Sequence, residues 1–350
     1  MSKKKILIDL YKIKDLYTGL GQFSLNFANE IAQHHDKDFY FTFLVPEKIK
    51  ELPPQIPTLK ASLFNRYFPS LNSNFDIWHS LHQFPSHFPS KGTTHILTVH
   101  DLNFITEKNK RKADKYKQLL QQNIAAANIV TTISSFTKNH LLQQIPTAPK
   151  DIRVVYNGVA LPSVVPEQPS FASQKFFFSL SVFKKAKNFE VLLPLMNFFP
   201  HHTLIIAGNN NTPYGIEIEK QITQLGLKDR VILPGTITTA QKLWLYQHCE
   251  AFLFPSLAEG FGLPVIEAMM CGKPVFLSRY TALPEIGGKL AYYFEDFSAQ
   301  TMAQLIENAL QHYNTNPAHT AALIKAHAQT FTWQQCINAY LRIYHHAATL

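Results

Sequence analysis

The residues best suited to chemistry lie in one segment, Phe254 to Gly272, where a glycine-rich loop joins an apolar strand to a predicted helix. Glu259 is on the loop, Pro264 suits the first helical position, and Glu267 follows in the first turn. Backbone amides at a helix N-terminus favour a phosphate or developing negative charge. The segment therefore indicates a site for a phosphorylated ligand, with carboxylates for sugar hydroxyl groups. The simpler alternative is that Glu267 complements the helix dipole and Glu259 is solvated.

The elements around this segment predict an α/β protein. Short apolar runs alternate with helical spacing of apolar residues, which is typical of βα units and a mostly parallel sheet. The predicted strands are Lys5–Asp9, Phe39–Val45, Phe75–Trp78, Ile96–Val99, Ile129–Ile133, Phe176–Leu180, Thr203–Ala207, Val231–Leu233, Ala251–Phe254 and Pro274–Leu277. The predicted helices are Phe23–Ala32, 110–127, Phe189–Phe198, Glu217–Leu225, Val265–Met270, Ala299–Tyr313 and Trp333–His346.

A proline-rich segment at 162–169 is typical of an interdomain linker. It predicts an N-terminal domain over 1–163, a second doubly wound domain over 170–330, and a C-terminal helical segment over 331–350. Ligands of open α/β sheets bind at the carboxyl ends of the strands. Function is therefore expected in the loops at those ends, facing a cleft between the two domains.

Composition excludes several classes of protein. The chain has 350 residues, of which 46% are hydrophobic and 16% charged, so two folded cores are expected. No apolar run approaches the roughly 20 residues that cross a bilayer, and the first residues do not resemble a signal peptide. The three cysteines are far apart and lack the spacing of a disulfide framework or a zinc site. These features favour a soluble protein of the reducing cytoplasm.

Positive charge is concentrated in the first half of the chain. Residues 1–160 contain 20 Lys and Arg against 12 Asp and Glu, whereas the remainder is nearly neutral. The densest run, Lys108 to Lys117, has few large apolar residues to place between bases, which disfavours nucleic acid as a partner. The run is either a solvated helix face or a surface attracted to an anionic membrane or acceptor.

The Phe254 to Gly272 segment resembles the donor-binding motif of the retaining GT-B glycosyltransferases of glycosyltransferase family 4, in which two glutamates are separated by seven residues. Further pieces in family order extend the resemblance over nearly the whole chain. They are Thr18–Phe23, Ile96–Leu102, Val130–Ser135, Val154–Val159, Lys187–Asn188, Ala282–Glu285 and Phe331–Trp333. The resemblance implies two Rossmann-like domains facing a central cleft, with a C-terminal helix that crosses back to the N-terminal domain.

The resemblance also implies roles for individual residues. Glu267 would bind the ribose hydroxyls of a nucleotide sugar, and the catalytic set would be Glu259 at the donor hexose, Lys187 at the diphosphate and His100 at the sugar near the reaction centre. Preorganised cations and backbone amides can stabilise a leaving diphosphate without a metal. The other implied donor-binding residues are Gly19, Gly21, Lys184, Lys185, Asn188, Gly260, Phe261, Gly262 and Leu263, and the implied acceptor-binding residues are His79 and Asp101.

One departure affects the phosphate site. Ser181 stands where the family commonly has glycine, and a second phosphate-binding cation is not fixed by the motif. Lys184 and Lys185 are the two alternatives for that cation.

The implied reaction is retaining transfer of a hexose, with mannose preferred, from a nucleotide diphosphate sugar such as GDP-mannose or a UDP-sugar. The acceptor would be a glycan or lipid-linked glycan of bacterial envelope polysaccharide or lipopolysaccharide synthesis. The leaving phosphate would help take the acceptor proton, so neither a cofactor nor an obligatory metal is expected. The basic N-terminal domain would bind the acceptor and contact the inner face of the cytoplasmic membrane.

Other classes of function are weighed against this one. A UDP-hexose or UDP-N-acetylhexosamine transferase would use the same scaffold, and Ser181 leaves open a non-catalytic sugar-nucleotide or glycan-binding subunit. A double-displacement glycosidase is disfavoured because it needs a close pair of carboxylates. A nicotinamide oxidoreductase is disfavoured because Gly19 and Gly21 are followed by Ser24 where the dinucleotide motif requires glycine.

Overall fold

The computed structural model describes residues 3–14, 16, 18–34, 37–46, 49, 51–72, 74–145, 151–172 and 175–350. The chain forms two compact units. The N-terminal unit combines Met1–Gly158 with Phe331–Leu350, and the C-terminal unit is Val159–Thr330. The predicted linker at 162–169 therefore lies inside the C-terminal unit, and the boundary falls a few residues earlier than predicted.

The described residues of the N-terminal unit form a seven-stranded parallel sheet in the order β3-β2-β1-β4-β5-β6-β7. Its strands are β1 (Lys4–Asp9), β2 (Phe39–Val45), β3 (Thr58–Lys60), β4 (Ile77–Ser80), β5 (Thr94–Val99), β6 (Ile129–Thr132) and β7 (Asp151–Val154). The order of strands reverses between β1 and β4, which pair in parallel from Ile6 opposite Ile77. This reversal is the topological switch point of a doubly wound sheet, so ligand-binding loops are expected there.

Helices cover the sheet of the N-terminal unit. They are α1 (Gly19–Gln33), α2 (Leu63–Tyr67), α3 (Phe104–Glu107), α4 (Lys110–Ala126), α5 (Ser135–Gln144) and the C-terminal helix (Trp333–Ala347). The C-terminal helix buries Trp333, Tyr340 and Tyr344 in the same core as Ile6 and Phe27. The last segment of the chain is therefore part of the N-terminal core.

The first helix begins earlier than predicted. The Thr18 side chain caps α1 by accepting a hydrogen bond from the Gly21 amide at 3.1 Å, so Gly19 and Gly21 lie in the first helical turn. The predicted start at Phe23 is therefore wrong by four residues.

The described residues of the C-terminal unit form a six-stranded parallel sheet in the order β10-β9-β8-β11-β12-β13. Its strands are β8 (Phe176–Leu180), β9 (Thr203–Ala207), β10 (Val231–Ile232), β11 (Ala251–Phe254), β12 (Val275–Ser278) and β13 (Tyr292–Phe294). The order reverses between β8 and β11, so the loops that follow these two strands are neighbours at the switch point.

The helices of this unit are α6 (Leu192–Leu195), α7 (Pro213–Gln224), α8 (Thr239–His248), α9 (Leu263–Met270), α10 (Leu283–Gly287), α11 (Ala299–Thr315) and α12 (Pro317–Ala328). The predicted helix Phe189–Phe198 is instead a 3-10 turn at Phe189–Val191 followed by the short α6. Pro194 is the physical reason, because proline lacks an amide hydrogen and fits only the first turn of a helix. Both sheets are parallel and doubly wound, which confirms the predicted α/β fold. Among the helices that the structure describes, none is long and apolar enough to span a membrane.

Asp9, the last residue of β1, is a buried carboxyl group with 7% of its surface exposed. Its Oδ1 accepts a hydrogen bond from the Tyr11 amide at 2.9 Å. Burial raises the pKa of Asp9 to about 7, although the Tyr11 amide and Lys12 act to lower it. Folding therefore favours the protonated form of this side chain over the ionised form.

We expect Asp9→Asn to make the protein more stable than the wild type at pH 8, by roughly 2–4 kcal/mol. Between pH 4 and 7 the unfolded chain loses the Asp9 proton while the folded chain keeps it, so wild-type stability falls over that range. Asparagine does not titrate and keeps the acceptor for Tyr11. Urea unfolding at pH 4.5 and pH 8 measures the difference, which should be severalfold smaller at the lower pH. An equal effect at both pH values would contradict the assignment to a titrating Asp9.

Candidate active site

The site begins with an ion pair across the switch point of the C-terminal unit. Lys187 lies on the loop after β8, and Glu259 lies on the loop after the neighbouring strand β11. The Lys187 Nζ atom is 2.5 Å from Glu259 Oε1, and each side chain is 14% exposed. A charge-assisted hydrogen bond between two mostly buried groups is strong and directional. The structure thus brings together two of the three residues predicted to be catalytic.

The second glutamate, Glu267, is also held by a lysine. Its Oε1 accepts from Lys242 Nζ at 2.7 Å, and its Oε2 accepts from the Tyr246 hydroxyl at 2.9 Å. Burial first, and then the Glu267 charge, raise the pKa of Tyr246 well above its ordinary value, so the phenol remains a donor. Glu267 lies in the second turn of α9 and not in the first, because the helix begins at Leu263. Its carboxylate therefore has two fixed donors, and it does not act mainly through the helix dipole.

Lys242 and Tyr246 are site residues that sequence reasoning missed. Both belong to α8, a helix that was not predicted, and they lie one turn apart on the same helix face. A signal was present at the start of that helix. Thr238 and Gln241 have the spacing of a capping box, and the structure shows both of its hydrogen bonds.

The loop that carries Glu259 is fastened to the loops on either side. The Leu257 amide donates to the Ala186 carbonyl at 2.7 Å, and the Ser256 hydroxyl donates to the same carbonyl at 3.1 Å. On the other side, the Ser278 hydroxyl donates to the Ser256 carbonyl. These hydrogen bonds fix the β11 loop relative to the ends of β8 and β12.

Two residues with left-handed backbone conformations flank this loop. Asn188 has φ 56° and Thr281 has φ 57°, and they are the non-glycine residues with positive φ in the described part of the chain. The Asn188 side-chain amide donates to the Pro255 carbonyl at 3.4 Å, and Thr281 Oγ1 accepts from the Glu259 amide at 3.0 Å. This conformation costs energy for residues with a Cβ atom, particularly for threonine. Such strain is typical of functional sites, and here it positions the segment that carries Glu259.

The start of α9 differs in detail from the prediction. Gly262 is the N-cap with φ 107°, and Pro264 follows Leu263, so proline occupies the second helical position. Pro264 has no amide hydrogen, and the Val265 amide donates to the Gly262 carbonyl at 2.9 Å. The Leu263 amide is a separate donor of the first turn and takes no part in that bond. Phe261 is 3% exposed, so its side chain belongs to the core and only its backbone is suited to contact a ligand.

The two alternatives for a second cation are both exposed, at the turn after β8. Lys185 Nζ is 3.5 Å from Glu217 Oε2 on α7, and its side chain is 75% exposed. Lys184 precedes the 3-10 turn Lys185–Lys187. The close backbone approach in this region occurs at Gly208, where an added Cβ would lie 1.9 Å from the Ser181 carbonyl oxygen. The contact is with the main chain of Ser181, so this close approach depends on glycine at 208 and not on the residue type at 181.

In the N-terminal unit, His100 follows β5 and is 5% exposed. Its Nε2 lies 2.7 Å from the Leu81 carbonyl oxygen, and the ring meets Phe23 edge-on. Burial lowers the pKa of His100 to about 4, although the Leu81 carbonyl acts to raise it. The imidazole is therefore neutral, with the proton on Nε2 and Nδ1 left as an acceptor. Asp101 Oδ1 accepts from the Asn103 amide at 3.0 Å, which closes the turn before α3.

The predicted acceptor-binding role of His79 is wrong. Its side chain is fully buried, with Nδ1 2.7 Å from the Tyr344 hydroxyl and Nε2 2.8 Å from Thr98 Oγ1. Burial, with a smaller effect of two nearby histidines, lowers the pKa of His79 to about 3, so the ring is neutral. His79 joins the C-terminal helix to the sheet and is a core residue.

Comparison with known proteins identifies the class of enzyme. Residues 23–161 match the family model described as Glycosyltransferase Family 4, and residues 165–326 match the model described as Glycosyl transferases group 1. O-antigen chain mannosyltransferase B of Escherichia coli is 25% identical over 96% of this chain and 99% of that protein. O-antigen chain mannosyltransferase RfbU of Salmonella typhimurium is 22% identical over 87% of this chain and 91% of that protein.

Solved structures share the fold. Sucrose-phosphate synthase from Thermosynechococcus elongatus has a TM-score of 0.77 at 17% identity, covering 98% of this chain and 99% of that one. Anabaena Alr3699/HepE in complex with UDP-glucose has a TM-score of 0.75 at 18% identity, covering 99% and 100%. The chain is therefore a glycosyltransferase with the GT-B fold. It belongs to the family 4-like glycosyltransferases, as the sequence motifs predict.

We expect Asn188→Ala to lower the free energy of unfolding by about 1–2 kcal/mol, because alanine disfavours the left-handed conformation and loses the bond to Pro255. Asn188→Gly is the matched control, since it loses the same hydrogen bond but adopts positive φ without strain. Urea unfolding of both variants measures the difference. Equal stability of the alanine and glycine variants would contradict a strained backbone at this position.

Proposed function

We propose that this glycosyltransferase transfers mannose, with retention of anomeric configuration, from GDP-mannose to a glycan or lipid-linked glycan of bacterial envelope polysaccharide synthesis. The observation that carries the proposal is the pair of lysine–glutamate contacts at the switch point, Lys187 with Glu259 and Lys242 with Glu267. The choice of mannose and of an envelope glycan is supported by the O-antigen mannosyltransferases that align along most of the chain.

In this proposal Glu267 binds the ribose of the donor. A carboxylate can accept about four hydrogen bonds, and one donor is already directed at each oxygen of Glu267. The remaining lone pairs suit the two vicinal hydroxyls of a ribose ring. Lys242 and Tyr246 then act as positioning residues, because they fix the direction in which those lone pairs point.

Lys187 and Glu259 act on the diphosphate and the hexose. In the structure the two side chains neutralise each other's charge at 2.5 Å. When the donor binds, the Lys187 ammonium and the Leu263 amide stabilise the charge that builds on the leaving diphosphate, while Glu259 accepts hydrogen bonds from hexose hydroxyls. His100 hydrogen-bonds the transferred sugar through Nδ1, and Asp101 serves the acceptor.

The proposed chemistry is a front-face substitution. The bond from the anomeric carbon to the phosphate oxygen breaks, a bond to the acceptor oxygen forms on the same face, and the acceptor proton passes to the departing phosphate oxygen. This route requires neither a covalent protein nucleophile nor an obligatory metal ion. The acceptor, when lipid-linked, would be met at the inner face of the cytoplasmic membrane.

We expect turnover of GDP-mannose to exceed that of UDP-glucose, UDP-galactose and UDP-N-acetylglucosamine. We also expect Lys187→Met to lower kcat by at least about a hundredfold, because the variant loses the cation at the leaving diphosphate. Nucleoside diphosphate release measures the rate with a mannan oligosaccharide acceptor, and proton NMR of the product gives the anomeric configuration. Turnover of a UDP-sugar alone would overturn the choice of mannose. An inverted product would overturn the mechanism, and binding of a donor without turnover under all conditions would favour a non-catalytic subunit.

A separate prediction concerns Lys242. We expect Lys242→Met to weaken GDP binding about tenfold, and to weaken 2′-deoxy-GDP binding much less, because the lost effect acts through the Glu267–ribose contact. Calorimetric Kd values for both ligands measure this difference. Lys220→Met changes an exposed lysine on α7, the helix before α8 in the chain; it is the control and should leave both Kd values unchanged. If the affinities for GDP and 2′-deoxy-GDP fell equally, Lys242 would act only through the overall charge of the site.

A further inference from the structure

The helix α2 and Phe68, the residue that ends it, expose four large apolar side chains. Leu63, Phe64, Tyr67 and Phe68 are 67%, 71%, 68% and 57% exposed, and we call this set the apolar tip. All five residues of α2, which lie within the described range 51–72, are at least partly exposed. Single exposed apolar residues are common, but a contiguous patch of this kind marks an interaction surface. These side chains contribute nothing to the core, so a role outside the folded unit is needed to explain them.

The apolar tip is ordered even though its side chains are exposed. The Ser62 hydroxyl caps α2 by accepting from the Asn65 amide at 3.2 Å, and the Ser62 carbonyl oxygen lies 3.1 Å from Nε2 of the buried His87. Just before the helix, the Ala61 amide donates to the Val45 carbonyl at 2.7 Å. The beginning of α2 is thus fastened to the body of the N-terminal unit, while the apolar side chains remain in solvent.

Positive charge accompanies the apolar tip. Arg66 lies within α2 with its guanidinium 5.8 Å from the Tyr67 ring centroid, and the exposed Lys60 ends β3 just before it. Residues 52–75 contain no Asp or Glu. Aromatic and aliphatic side chains beside cations are the composition of segments that insert into the interface of an anionic bilayer. An interface with a second copy or another protein needs about 800 Å² on each partner, more than one short helix offers.

We propose that the apolar tip inserts into the interfacial layer of an anionic phospholipid membrane, with Arg66 and Lys60 at the lipid headgroups. The segment that makes this contact is α2, not the basic run Lys108–Lys117 that the sequence singles out. The proposal draws its biological purpose from the proposed lipid-linked acceptor. The binding itself requires neither donor nor acceptor, so it can be measured independently of the reaction.

The test is co-sedimentation of the full chain with vesicles of phosphatidylglycerol and phosphatidylethanolamine, compared with vesicles of phosphatidylcholine alone. We expect binding to the anionic vesicles, and a loss of at least about tenfold in partitioning for the double variant Phe64→Ser, Phe68→Ser. Phe198→Ser is the matched control, because Phe198 is a 45% exposed phenylalanine of the C-terminal unit and should have no effect. Arg66→Gln should reduce the preference for anionic lipid.

Insertion has its own spectroscopic signature. Tyr67→Trp places a fluorophore in the apolar tip, and we expect its emission to shift to the blue and to be quenched by brominated acyl chains. Wild-type binding by the double serine variant, or an emission of Trp at 67 that stays unchanged with bound vesicles, would overturn the proposal. So would a wild-type dimer in light scattering that the double variant abolishes, since a second copy would then cover the apolar tip.

The membrane contact and the reaction can fail separately. If the double serine variant loses vesicle binding but keeps its turnover on a water-soluble acceptor, the result supports the membrane role and leaves the proposed reaction intact. Absent turnover with intact vesicle binding would overturn only the reaction.

Discussion

The ion pair between Lys187 and Glu259 sets the main constraint on the C-terminal unit. Two opposite charges that are each 14% exposed must stay together, because separating them would leave a mostly buried charge without a partner. Their loops meet only because β8 and β11 are neighbours at the reversal of strand order. Hydrogen bonds from the β11 loop to Ala186, and the strained backbones of Asn188 and Thr281, keep the distance short. The fold thus specifies a site before any ligand arrives.

The sequence predicted best those elements whose formation depends on residues close together in the chain. The strands Phe39–Val45, Phe176–Leu180 and Thr203–Ala207 have the predicted bounds, since each is a short run of mostly aromatic and aliphatic residues, which favour strands. Helix starts were predicted less well. Their positions depend on capping side chains such as Thr18, and on whether glycines continue a loop or enter the first turn.

Contacts between distant segments account for the errors at the site. His79 ends as a core residue because Tyr344, 265 positions away, bonds to its ring, and no spacing near His79 reveals that partner. Lys242 approaches Glu267 because α8 and α9 lie side by side on the sheet. By contrast, a long motif and a known family pattern predicted that Lys187 and Glu259 share one site, and the structure places the two side chains in contact. Tertiary packing decides which of the many histidines and lysines of this chain face a ligand.

The return of the last helix into the N-terminal unit has a consequence for biosynthesis. The first unit to leave the ribosome cannot complete its core early, because Trp333, Ile337 and Tyr340 belong to that core and are translated only after the C-terminal unit. The C-terminal unit is built from one continuous stretch of the chain, so it can finish folding while the N-terminal unit still exposes apolar surface. The N-terminal unit therefore passes through a stage in which all of its strands are synthesised but its core is still incomplete. During that stage chaperones have a defined surface to shield.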